Sequence, residues 1–146
     1  MKRAFVALFA LSTFGIPSLI ASEYRDIDPK ILSAFQKEFS FAKNVKWEVK
    51  GELAQVNFLL YDQGIVAWYN SNAELITTAR NILYMQLPIS VIKSLERDYP
   101  DAGLYGIAEF THRNETFYHI QAEKKNKKYL LKASPSGSVT VIKRIK

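Results

Sequence analysis

His112 and His119 are the residues most able to hold a metal or act as a general base, so the chemistry of this chain is sought there first. A metal site needs three or four converging ligands. The two histidines fall on neighbouring strand segments around a turn at Arg113-Asn114, which sets them apart along the ladder, and no nearby carboxylate pair completes a ligand set. Neither a metal nor a cofactor is expected. The serines lie in turns and on helix surfaces, without a Gly-x-Ser-x-Gly elbow or a base partner, and no glycine-rich phosphate loop is present. Glu96, Asp98 and Asp101 crowd Pro100, but helix ends and turns favour such acids without catalysis. No residue is assigned a catalytic role. The cluster Lys124-Lys125-Asn126-Lys127-Lys128 reads as a hairpin tip, and with no aromatic platform interleaved it does not suggest a nucleic-acid partner. The sequon Asn114-Glu115-Thr116 reads as turn chemistry.

A stripe of large apolar residues offers binding instead. If Val45, Trp47, Val49, Val56, Phe58, Leu60, Ile65, Ala67 and Tyr69 face a helical cover, period-two alternation turns Leu59, Tyr61, Val66 and Trp68 the other way. The second half adds Phe117, His119 and Leu130, with Ile107 a further candidate. His119 alternates with Tyr118 and Ile120, so it points to the open face. An open sheet face normally turns polar. Burying one exposed aromatic of about 150–250 Å² at about 25 cal/mol per Å² releases about 4–6 kcal/mol before ordering costs, enough to anchor an interface. Cover by the leader-proximal segment, by the connector or by a second copy of the chain explains the stripe equally well. A homodimer through this face lies between the two readings.

The elements that carry these residues follow from periodicity and turn chemistry. Apolar residues recur at i, i+4 and i+8 in residues 31–40 and again in 91–100, giving two short amphipathic helices. Asp28 caps the first with Pro29 at its first position; Pro88 opens the second and Pro100 stops it. Strand signals follow each helix: 45–49, 54–60, 65–69 and 75–79, then 104–111, 116–123, 128–133 and 138–145. Turns fall at Gly51, Asp62-Gln63-Gly64, Asn70-Ser71-Asn72, Arg113-Asn114, the lysine cluster and Ser134-Pro135-Ser136-Gly137. The expected fold class is α+β, a tandem duplication of a helix-plus-four-strand unit over about 28–86 and 87–146. It forms a two-layer antiparallel sheet with both helices on one face and one shared core. Residues 77–87 are the connector between the units.

The first 22 residues bound the compartment. Lys2 and Arg3 precede an apolar run over 4–11, and small residues Ala21 and Ser22 close the segment before charged residues begin. That is the pattern of a cleaved signal peptide, too short in its apolar core to anchor. A periplasmic or secreted single domain over 23–146 is expected, without stable membrane insertion. The chain has no cysteine, which excludes disulfides, thiol catalysis and a lipidated cysteine. Its formal charge is +6, of which the leader supplies two bases. A moderate basic excess can attract acidic partners.

Taken together, the leader, the helix ending at Phe39, the segment Ala42-Lys43-Asn44-Val45-Lys46-Trp47-Glu48 and the strand Val56-Asn57-Phe58 carry a resemblance. So do the Leu87-Pro88 helix start, Tyr99-Pro100 and Phe117-Tyr118-His119-Ile120. With these features the chain resembles the PepSY-like, or beta-lactamase-inhibitor-like, family of small secreted bacterial proteins. It departs from the family's Asp-x-x-Gly turn, showing Asn70-Ser71-Asn72-Ala73 and Ser134-Pro135-Ser136-Gly137 instead. The resemblance implies a tandem helix-plus-four-strand fold. By analogy of fold it also implies a non-enzymatic module that binds, and inhibits, an envelope peptidase or other hydrolase. The expected partner is an unidentified protein or peptide of the cell envelope. The alternative is a small-ligand or surface-glycan binder that uses the same aromatics as stacking platforms.

Overall fold

A computed structural model describes residues 26–145; the expected leader at 1–22 lies outside the described residues. Helix α1 (Pro29–Glu38) starts where the sequence demands, since the Asp28 side chain accepts from the Lys30 backbone N–H at 2.8 Å and Pro29 needs no donor. Helix α2 (Ile89–Asp98) follows Pro88, and Tyr99 closes it by donating its N–H to the Leu95 carbonyl. The eight strands are β1 (Lys43–Lys50), β2 (Leu53–Leu60), β3 (Gln63–Tyr69), β4 (Leu75–Asn81), β5 (Gly103–His112), β6 (Glu115–Lys124), β7 (Lys127–Ala133) and β8 (Val139–Ile145). They form one antiparallel sheet in which every strand pairs only with its neighbours in sequence.

Three hairpins close through two-residue turns with both residues at positive φ: Tyr61-Asp62 (49° and 63°), Arg113-Asn114 (45° and 70°) and Lys125-Asn126 (51° and 60°). This left-handed pair matches the right-handed twist of the flanking strands, which is why asparagine or aspartate fills the second place each time. The lysine cluster is thus a hairpin tip, as expected. The β2–β3 turn starts one residue earlier than the expected Asp62-Gln63-Gly64, and this moves Tyr61 off the sheet. The connector is also shorter than expected: β4 continues to Asn81 and pairs with β5, leaving only 82–88, which holds one short helical turn at Tyr84–Gln86.

The expected fold class is corrected. Over the described residues the chain is mostly β, a single eight-stranded meander with two short α-helices, and not a two-layer duplication of helix-plus-four-strand units with one shared core. The chain crosses the supposed boundary by pairing β4 with β5, from Thr77 opposite His112 to Asn81 opposite Ala108. Dimensions explain the difference. Eight strands about 4.8 Å apart make a sheet about 34 Å across, whereas a ten-residue helix is only about 15 Å long. Two such helices cap separate patches rather than build a layer.

Two hydrophobic clusters result. The first joins Ile31 and Phe35 of α1 to Trp47, Val56, Phe58, Ala67 and Tyr69. The second joins Val91 and Leu95 of α2 to Ile107, Tyr118, Ile120, Leu131 and Ala133. Between them, on the same side of the sheet, β4 and β5 place Thr78 opposite Thr111 and Arg80 opposite Glu109. Arg80 Nε donates to Glu109 Oε1 at 2.8 Å. A polar seam therefore divides the core where the helices do not reach.

The second cluster carries a latch that the first lacks. Gly137, at φ 92° in the β7–β8 turn, lies so close to α2 that an added Cβ would sit 2.6 Å from the Ser90 carbonyl oxygen. Ser90 Oγ donates to the Pro135 carbonyl at 2.5 Å from the other side of the contact. The corresponding β3–β4 turn closes on itself instead: Asn70 Oδ1 accepts from the N–H groups of Asn72 and Glu74, both at 3.0 Å, and Ala73 takes the positive φ.

Candidate functional site

Cross-strand partners share a face, so the register fixes what the side turned away from α1 and α2 presents. One row runs Asn57, Val66, Ala79, Phe110, Phe117 across β2 to β6. The next runs Gln55, Trp68, Thr77, His112, Glu115, and a third runs Asn81, Ala108, His119, Lys132. Leu59, opposite Gly64, and Leu130, opposite Gln121, belong to the same side. Leu59, Val66, Trp68, Phe117, His119 and Leu130 are all half-buried. Each therefore has less to gain from a partner than the about 4–6 kcal/mol of a fully exposed aromatic.

Tyr61 does not join them. It stands at the β2–β3 tip, 78% exposed, with its ring 6.2 Å from that of Phe41, itself 67% exposed. Ile107 does not join them either. A bulge between Tyr105 and Ala108, with Gly106 at φ 55°, inserts a residue and turns Ile107 into the second cluster, where it is buried.

Phe110 is the residue sequence reasoning missed. Its ring stacks on Phe117 with centroids 5.2 Å apart and planes within 1°, and it meets His119 at 4.6 Å. Counting back from a two-residue turn at Arg113-Asn114 puts Phe110 opposite Phe117, so the signal was in the turn. Lys132 extends this group, its Nζ 4.3 Å from the Phe117 ring centre in a cation–π contact. Burial and the Lys132 charge lower the His119 pKa from its ordinary value, which favours the neutral ring at neutral pH. Trp68 Nε1 donates to Gln55 Oε1 at 3.2 Å, and Thr77 Oγ1 lies 2.7 Å from His112 Nδ1. Beside Phe110 the face sinks into a shallow depression of about 570 Å³ lined by Asn57, Leu59, Val66, Trp68, Ala79 and Phe110 among others.

The charge on this side is unbalanced. Lys43, Lys46, Lys50, Lys128, Lys132 and Lys143 fall on it against Glu48, Glu115 and Glu123. Glu48 pairs with Lys50, and Glu123 lies 3.9 Å from Lys128, so the remaining lysines face a single remaining carboxylate. Among the described residues no acid comes within salt-bridge distance of Lys132.

This single sheet with two helical caps recurs in solved structures. A BLIP-like protein from Bacteroides fragilis superposes with a TM-score of 0.72 at 22% identity, covering 81% of this chain and 86% of that one. A DUF2874 family protein from Bacteroides uniformis gives 0.72 at 15% identity, covering 81% and 88%. A Bacteroides eggerthii protein whose name proposes a periplasmic location gives 0.72 at 16% identity, covering 81% and 87%. No family profile matches the chain, and no curated protein sequence does. The beta-lactamase-inhibitor-like resemblance read from the sequence is met at the level of fold; the PepSY half of it stays an expectation from the sequence. Among the described residues no helix is long and apolar enough to cross a membrane.

Proposed function

We propose that this chain is a non-catalytic protein-binding module of the bacterial cell envelope, exported by its leader, that engages a partner through the open face of its sheet. The observation that carries the reading is the continuous row Val66, Ala79, Phe110, Phe117, beside Trp68, on the face turned away from both helices of the described residues. Aromatic residues within a polar and cationic surround are the composition of an interface centre and its rim. The BLIP-like neighbour supports an inhibitor-like role towards an envelope hydrolase as the specific form of that binding.

The test is capture of partners from the native envelope by the tagged mature chain, quantified against a Trp68→Ala/Phe117→Ala double variant. Loss of the captured protein from a variant that still unfolds cooperatively, at a somewhat lower melting temperature, is the expected result. Equal capture by both chains overturns the reading. A second reading, small-ligand or surface-glycan binding, rests on the depression of about 570 Å³ beside Trp68. A rise in melting temperature with a glycan or small molecule, and with no peptide, would select it.

A further inference from the structure

The two notable features of the open face adjoin one another, and together they specify a ligand. Phe110 lines the apolar depression and also stacks on Phe117, whose ring carries the Lys132 ammonium. An apolar side chain would seat in the depression against Val66 and Trp68; the adjoining cation lacks a carboxylate of its own. We infer that the face takes an acidic peptide segment of a partner protein, with an apolar anchor in the depression and a carboxylate at Lys132. The inference rests on the protein-binding reading above and deepens it by naming the partner's chemistry.

Geometry sets the spacing. The depression centres on β3 and β4, and Lys132 lies on β7, three strands beyond β4 or about 14 Å at the usual interstrand distance. An extended peptide covers that in about four residues. Charge argues for an acidic occupant over a second copy of this chain, because two like faces, each with more lysine than glutamate, repel when brought together. Lys132 is exposed and held in place by the ring beneath it, so a carboxylate can reach it without first breaking an ion pair.

Selection of random twelve-residue peptides displayed on phage, against the immobilised mature chain at low salt, tests this directly. The expected winners carry an apolar residue and, about four positions away, aspartate or glutamate. As synthetic peptides they should bind about tenfold more weakly to Lys132→Glu and lose affinity steeply with added salt. Lys132 is exposed, so this variant keeps the fold, which its melting temperature verifies. Uncharged winners that are lost on Trp68→Ala but unmoved by Lys132→Glu would overturn the acidic assignment and leave the binding face standing. Winners unmoved by either substitution, or no enrichment at all, would overturn both. Stronger binding to anionic phospholipid vesicles or to a uronic-acid polysaccharide than to any selected peptide would also overturn the assignment to protein.

Discussion

The two hydrophobic clusters sit under helices of equal length on one sheet, yet they are built from different materials. The first is aromatic: Phe35 meets Trp47, Phe58 and Tyr69 edge-on at 5.2, 5.1 and 6.5 Å. The second is mainly aliphatic, with Val91, Leu95, Ile120 and Leu131 fully buried. Aromatic packing brings polar handles inside. Trp47 Nε1 and the Tyr69 hydroxyl are buried without a hydrogen-bond partner among the described residues, and each such orphan costs about 1–3 kcal/mol. Burial, and then the negative charge of the Glu38 carboxylate near the hydroxyl, though outside good hydrogen-bond geometry, raise the Tyr69 pKa far above the ordinary phenol range and keep the hydroxyl protonated. The second cluster avoids this burden and adds the Gly137 latch. The comparison teaches that similar local patterns reach stability by different routes, one through large rings at a polar cost, the other through closer backbone contact.

Removing the centre of each cluster tests their independence most severely. Phe35→Ala should cost about 3–5 kcal/mol and Leu95→Ala about 2–5 kcal/mol in urea unfolding. Because the Arg80–Glu109 seam separates the clusters, the double variant should show the sum to within about 0.5 kcal/mol. A coupling well above that would mean one core after all.

Gly137→Ala sharpens the contrast at the turns. The new methyl meets the Ser90 carbonyl in a left-handed backbone position, so a loss of about 1–3 kcal/mol is expected. Ala73, also at positive φ, already tolerates a Cβ in the first half. Hence Ala73→Gly should change stability far less.

The smallest effect is the most specific. Tyr69→Phe removes an orphaned hydroxyl and should leave stability unchanged or raise it by about 1 kcal/mol. A clear destabilisation in thermal melting would show that the hydroxyl has a partner, with Glu38 the first suspect.

Much of this arrangement was legible beforehand. Pro29, Pro88 and Pro100 bracket the helices because proline restricts where a helix starts and stops, and alternation sorted Phe58 and Ile65 from Leu59 and Val66 because one side of those strands is buried. Errors arose where backbone geometry broke the alternation. Tyr61 reads as strand in the sequence because a bulky aromatic at positive φ is an unusual turn residue, and Ile107 reads as outward because nothing in the periodicity announces the bulge at Gly106. The divided core escaped because Arg80 and Glu109 are distant in sequence and disclose the polar seam only when paired. Phe110 and Lys132 needed pair registers, which a single strand does not contain.

The strictly sequential sheet bears on how the chain reaches this state. Each strand finds its mate across a short turn or, at β4–β5, across one helix and its flanking loops, so loop closure is entropically cheap throughout. Assembly can proceed by zipping, hairpin upon hairpin, in the order the polypeptide emerges from a ribosome or a translocation pore. No early strand has to wait, unpaired and sticky, for a mate at the far terminus.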